Sequence, residues 1–117
     1  MRMWMTKPRL MCRKHLMGEH VEMHMFIGGM RKGISMEGYA ENELFEPASL
    51  LKRHDDLALE MAARGYRHSS PMPEDTALLC ALLPSHIGQA RVPRDSARAE
   101  LIRRCPECRQ LHEGVEL

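Results

Sequence analysis

Cysteine and histidine residues near the carboxyl end have a spacing that could hold a metal ion. Cys105 and Cys108 form a Cys-x-x-Cys pair, and His112 follows four residues later. This pattern is typical of half of a structural zinc site, which would need a fourth ligand from Cys12, Cys80 or another histidine. A small zinc-binding protein is therefore one candidate class of function. The alternative is that all of these cysteines are plain reduced thiols.

A histidine pair near the amino end is a second candidate for metal binding. His20 and His24 are four residues apart, a spacing that puts two imidazoles on one face of a helix, and Glu22 lies between them. The order His-x-Glu-x-His differs from the His-Glu-x-x-His order of zinc proteases. The pattern alone therefore supports a metal site only weakly.

The charge distribution is uneven, although the 117-residue chain has a net charge of only +1. Residues 1–33 carry seven basic and two acidic side chains, which gives +5. Residues 34–79 carry four against nine, or −5, and residues 80–117 carry six against five, or +1. This asymmetry predicts one surface that faces a polyanion. The alternative is a basic helix face that is simply solvated.

Length and composition predict one soluble domain that spans residues 1–117. The chain can build one hydrophobic core but is too short for two ordinary domains. No apolar run reaches the roughly 18–20 residues that a membrane-spanning helix needs, and the start lacks the pattern of a signal peptide. We therefore expect a monomeric, cytoplasmic protein whose thiols are reduced or bound to a metal.

Apolar periodicity predicts a mainly α-helical fold with three principal helices, a short fourth helix and long connecting loops. The predicted helices cover residues of about 14–31, 47–65, 76–83 and 95–104. Gly33 and Gly65 are predicted to end the first two helices, and Pro106 to prevent continuation of the last.

Three other segments have weaker signals. Thr6 followed by Pro8 predicts a first helical turn, with extended residues before it. Residues 33–47 have no helical period and are predicted to form a long loop with a short turn at most, and residues 69–73 a turn or linker.

Four sequence segments resemble the pyrimidine-dimer DNA glycosylase family, the endonuclease V type of base-excision enzyme. They are MRMWMTKPRL at the amino end, HLMGEHVEM, GGMRKG and KRHDDLALEMAARGY. The resemblance covers about 66 residues and needs no gap over the first 33. It implies an all-α fold whose amino terminus packs between helices, and a bacterial or phage-encoded DNA repair enzyme.

The resemblance also implies a reaction and the residues that perform it. The family couples N-glycosylase action on damaged pyrimidines in duplex DNA to AP lyase cleavage, through an iminium on the terminal α-amine. By position, the catalytic groups would be the amine of Met1 and the carboxylate of Glu22. An α-amine suits this role because its reference pKa is about 7.7–8.0, against about 10.4 for lysine. The chemistry requires no cofactor.

DNA contacts are implied for four residues with matching types in the family: Arg2, His15, Arg31 and Lys32. Val21 and Met25 stand where the family's phage prototype has arginines in the helix of the glutamate. This departure leaves open whether the substrate is a pyrimidine dimer, another damaged or modified base, or an abasic site. A DNA-binding module of the same fold that has lost catalysis is the alternative from another class.

Overall fold

The computed structural model describes residues 1–67 and 70–114, and within these ranges the secondary structure is entirely helical. The α-helices are α1 (Arg13–Arg31), α2 (Glu37–Glu41), α3 (Leu50–Ala63), α4 (Thr76–Ala81), α5 (Ser85–Gly88), α6 (Arg94–Arg104) and α7 (Pro106–Glu113). Short 3-10 turns cover Pro8–Leu10 and Pro47–Ser49. The predicted all-α class is confirmed. No helix in the described part of the chain is both long and apolar enough to cross a membrane.

Helices α1 and α3 pack against each other and form the centre of the molecule. The Cys12 side chain caps α1 by accepting a hydrogen bond from the backbone N–H of His15. Gly33 follows the end of α1 with φ +77°, and Gly65 follows α3 with φ +81°. Both values lie in the left-handed region that glycine adopts without a Cβ clash, so both predicted helix ends are confirmed.

The amino-terminal segment packs between helices, as the resemblance implied. Met3 is fully buried and Trp4 is nearly so. The backbone N–H of Met3 donates to the carbonyl of Leu44 at 2.8 Å. This contact fixes the segment beside the loop that follows α2.

Arg53 of α3 and Arg64, which directly follows α3, hold the next part of the amino-terminal segment through its carbonyl oxygens. Arg53 Nη1 donates to the carbonyl of Thr6 at 2.6 Å. Arg64 Nη2 donates to the carbonyls of Pro8 at 3.1 Å and Met11 at 2.7 Å. These bonds satisfy backbone acceptors of a segment that has no regular partner strand or long helix.

A buried ion pair joins α1 to α3 directly. Arg53 donates from Nε to Glu19 Oε2 at 2.6 Å and from Nη2 to Glu19 Oε1 at 2.7 Å. The Glu19 side chain is completely buried and that of Arg53 is 5% exposed. The bidentate geometry matches the two N–H groups to the two carboxylate oxygens, so neither charge is left without a partner.

The short helices differ from the prediction. The loop predicted over residues 33–47 contains α2, and the loop before Pro93 contains α5. The turn predicted near Thr6 is the 3-10 turn Pro8–Leu10, and the long helix starts only at Arg13. Part of the predicted linker, Ser69, lies outside the described residues.

The largest error concerns the carboxyl end, where helix α7 was not predicted. Pro106 does end α6, but it also occupies the first position of α7. Proline is favoured there because the first helical N–H has no intrahelical partner. Cys108 of α7 is fully buried in the common core, together with residues such as Leu101, Leu57 and Met3.

Candidate active site and two ligand clusters

The amine of Met1 and the carboxylate of Glu22 lie side by side. Met1 N is 3.9 Å from Glu22 Oε1, and the side chains are 14% and 27% exposed. Burial raises the pKa of the Glu22 carboxyl above its usual range, although the backbone N–H of Arg2 and the amino-terminal charge act in the opposite direction. A carboxyl with a raised pKa can exchange a proton with a neighbouring group near neutral pH more readily than an exposed glutamate can.

A surface hollow of about 330 Å³ opens beside the amine. Met1, Met25, Lys32 and Tyr39 contribute to its wall. Lys32 is exposed, so it brings a positive charge to the rim. Met1 therefore borders a partly apolar hollow with a cationic edge.

Arg2 lies next to this pair but its guanidinium points to Trp4. The Arg2 Cζ atom lies 3.8 Å from the centroid of the Trp4 ring, which is a cation–π contact. Burial, followed by the charge of Arg104, lowers the pKa of Arg2. The predicted DNA contact of Arg2 stays a prediction.

Arg31 and Lys32, at the end of α1, have different surroundings. Arg31 Nη2 donates to Asp75 Oδ1 at 2.6 Å, and both side chains are about half exposed.

On the same helix, Val21 and Met25 are 54% and 53% exposed, so the positions that depart from the phage prototype present apolar side chains to solvent.

Four sulfur and nitrogen ligands from the two ends of the chain converge in a cysteine cluster: Cys12, His15, Cys105 and Cys108. Cys12 Sγ is 3.2 Å from His15 Nδ1 and 3.8 Å from Cys105 Sγ. Cys108 Sγ is 3.9 Å from His15 Nδ1. These four residues lie close together and could hold a metal ion.

Backbone N–H groups also point at the sulfurs of the cysteine cluster. The N–H of Cys12 donates to Cys108 Sγ at 3.3 Å, and the N–H of Cys108 donates to Cys105 Sγ at 3.4 Å. Burial raises the pKa of Cys108 to about 12. The N–H of Cys108 and the neighbouring thiols lower the pKa of Cys105, although burial opposes them.

The ligand set predicted for this end of the chain was partly wrong. His112 does not join the cluster, because its Nδ1 lies 2.8 Å from the carbonyl oxygen of Cys108 and its Nε2 lies 3.3 Å from Thr6 Oγ1. Cys80 lies outside the cluster as well. His15 is the histidine at the cysteines, and the DNA contact predicted for it remains untested.

Three histidines converge in a second cluster, the histidine cluster, which consists of His20, His24 and His54. Its ring centroids are 4.7–5.2 Å apart. Glu22 is not one of its members, since two residues along a helix turn a side chain by about 200°. His54 joins from α3, and no local sequence signal indicated this.

Comparison with known families finds a match over most of the chain. The family described as pyrimidine dimer DNA glycosylase matches residues 1–74. The chain is therefore a member of the pyrimidine dimer DNA glycosylase family, which is a family of DNA repair glycosylases. Comparison with curated proteins and with solved structures finds no match.

Proposed function

We propose that this protein is a DNA glycosylase with AP lyase activity that acts on damaged or modified pyrimidines in duplex DNA. The amine of Met1 is the nucleophile and Glu22 is the acid–base group. The observation that carries this proposal is the 3.9 Å separation of Met1 N and Glu22 Oε1 beside an accessible hollow. The family membership of residues 1–74 supports the same reaction class.

The first chemical step joins the amine to the sugar. The lone pair of Met1 N forms a bond to C1′ while the bond from C1′ to the base breaks, and the base leaves with that electron pair and a proton. The sugar ring then opens, its oxygen takes a proton, and an iminium forms between Met1 N and C1′. Glu22 supplies and recovers these protons and stabilises the cation.

Strand cleavage follows from the iminium. Loss of a proton from C2′ drives its electrons toward the iminium, and the C3′–O bond breaks with release of the 3′ phosphate. Water finally hydrolyses the remaining link to Met1. All of these steps use groups of the chain, the DNA and water.

Borohydride trapping on a duplex with one abasic site tests the mechanism. Reduction of the iminium leaves a covalent protein–DNA adduct, which we expect to map to Met1, and acetylation of the terminus should abolish it. A blocked protein that still cleaves would move the nucleophile to a lysine such as Lys7 or Lys14. A protein that binds DNA but gives no adduct would be a non-catalytic binding module.

Glu22→Gln tests the carboxylate, because it keeps the size of the side chain and removes its charge. Loss of general acid–base catalysis should lower single-turnover cleavage by ~100- to 10,000-fold. Glu41→Gln, an exposed glutamate outside the site, is the matched control and should cleave at the wild-type rate. Wild-type turnover in Glu22→Gln would remove the carboxylate from the mechanism.

A structural zinc ion at the cysteine cluster completes the proposal. Zinc with Zn–S bonds of ~2.3 Å and Zn–N bonds of ~2.0–2.1 Å has tetrahedral edges of ~3.8 Å between sulfurs and ~3.5 Å between sulfur and nitrogen. In the cysteine cluster, Cys12 Sγ lies 3.8 Å from Cys105 Sγ. His15 Nδ1 lies 3.2 Å from Cys12 Sγ and 3.9 Å from Cys108 Sγ. Four protein ligands would make a closed, structural site.

Cobalt substitution tests the cysteine cluster, because Co²⁺ bound to thiolates has a charge-transfer band in the near ultraviolet. We expect this band in the wild type and its loss in Cys108→Ser. Cys80→Ser is the matched control, since Cys80 lies outside the cluster. A band that survives in Cys108→Ser, or no band in the wild type, would refute the zinc assignment.

A further inference from the structure

The histidine cluster carries an inference that is independent of the glycosylase reaction. Its three ligand atoms lie within 4.8 Å of one another, and His20 and His54 are almost completely buried. Three imidazoles held this close in a helix interface are uncommon as plain packing residues, because each carries a polar nitrogen that must be satisfied.

The separations among His24, His54 and the carbonyl of Ser70 match those between ligands of one metal ion. His24 Nε2 lies 3.2 Å from His54 Nε2, and the carbonyl oxygen of Ser70 lies 3.0 and 3.1 Å from these two nitrogens. The three atoms form a nearly equilateral triangle. Ligands ~2.1 Å from an ion are ~3.0 Å apart in an octahedral site and ~3.4 Å apart in a tetrahedral one, so the triangle fits one face of either polyhedron.

A second contact orients one of the ligands. His54 Nδ1 lies 2.9 Å from Asp55 Oδ1, so the carboxylate can accept a hydrogen bond from the Nδ1–H group. With the proton on Nδ1, the Nε2 lone pair points to the other histidine and is available to a metal ion. Metal-binding histidines commonly have such a carboxylate behind them.

We propose that His20, His24 and His54, with the carbonyl of Ser70, bind one divalent transition-metal ion of the Zn²⁺ or Co²⁺ class. Imidazole nitrogens suit these ions, and the absence of sulfur ligands distinguishes this site from the cysteine cluster. The ion joins α1, α3 and the chain at Ser70.

The position of the ion on α1 determines its role. Glu22 lies halfway between His20 and His24 in sequence, so helix geometry places it about 180° around α1 from the middle of the histidine pair. The ion therefore lies on the opposite side of the helix from the amine of Met1. It positions the helix that carries Glu22 and does not touch the reacting atoms.

Metal stoichiometry of the full-length protein tests the site. After chelation and reloading with Zn²⁺, we expect His24→Ala to bind one equivalent fewer than the wild type. His86→Ala removes an exposed histidine and should bind as much as the wild type. In Co²⁺-loaded protein, the thiolate band of the cysteine cluster should be unchanged in His24→Ala, which separates the two sites.

A second variant guards against a folding defect. Asp55→Asn alters a side chain that is 64% exposed, so the helix should remain intact by circular dichroism. Loss of the carboxylate behind a ligand lowers metal affinity by ~10- to 100-fold. We expect this loss of affinity for the Co²⁺ ion at the histidine cluster, which is recognised because it gives no thiolate band. Equal Zn²⁺ stoichiometry in the wild type and in folded His24→Ala, or unchanged affinity in Asp55→Asn, would overturn the proposal. Failure of the cysteine cluster to bind zinc would lower both totals equally and leave the difference intact.

Discussion

The buried pair between Glu19 and Arg53 allows a quantitative test of how α1 is joined to α3, and Arg53 also holds the amino-terminal segment through the carbonyl of Thr6. Arg53→Met keeps an unbranched apolar stem but removes the guanidinium. Three hydrogen bonds of 2.6–2.7 Å disappear, and two of them leave the completely buried Glu19 carboxylate without its cation. Breaking one side of a buried pair costs ~3–5 kcal/mol, out of a total stability of ~5–15 kcal/mol.

Urea denaturation followed by circular dichroism measures this loss. With a denaturant slope of ~2 kcal/mol per molar for a domain of this size, the midpoint should fall by roughly 2 M. Lys52→Ala is the matched control, because Lys52 precedes Arg53 on α3 but is 80% exposed and pairs with Asp56 on the surface. Its midpoint should change little, since exposed pairs contribute ~0–1 kcal/mol.

A double variant separates the pair from other effects of the substitution. Glu19→Gln combined with Arg53→Met removes both charges, so its loss should be clearly smaller than the sum of the two single losses. If Arg53→Met cost under ~1 kcal/mol, or if the two losses were simply additive, the pair would not join α1 to α3 in the way described.

Two further predictions concern pH and salt. Burial alone would raise the pKa of Glu46, but hydrogen bonds from Arg94, Ser49 and the N–H of Val92 lower it to about 2. The Glu46–Arg94 pair should therefore stabilise the fold fully above pH ~4.5 and lose this contribution as the pH falls toward 2. Glu46→Gln should lower the free energy of unfolding by ~2–3 kcal/mol at pH 7 and by nearly nothing at pH 2. The exposed control Glu41→Gln should have no effect at either pH. Lys32→Ala should weaken binding to damaged and undamaged duplex alike and reduce the log–log salt slope by ~0.9, whereas Lys52→Ala should not; an effect on damaged DNA alone would show that Lys32 is not a phosphate contact.

Local sequence signals predicted the two long helices well. The apolar period and the two glycines that follow placed α1 and α3, because both signals depend only on neighbouring residues. The missed helix α7 shows the limit of such signals. Pro106 can stop one helix and begin another, and the choice depends on whether Cys108 can be buried by residues far away in sequence.

The full ligand sets of the two clusters could not be predicted because their members are distant in sequence. Cys12 and Cys105 are 93 residues apart, and His24 and His54 are 30 apart. A Cys-x-x-Cys pair predicts half of a metal site, but only the tertiary fold determines whether His15 or His112 completes that site. Likewise, nothing local distinguished buried Glu19, the partner of Arg53, from an exposed glutamate.

Trp4 has a spectroscopic consequence, because it is the single tryptophan of the chain. Trp4 is 5% exposed, its ring has Arg2 and Arg104 over it, and it makes a T-shaped contact with the His15 ring at a centroid distance of 5.9 Å. All indole fluorescence therefore originates where the amino-terminal segment meets the rest of the fold, while circular dichroism reports on the helices. Unfolding curves from the two signals will coincide only if the segment and the helices come apart as one cooperative unit.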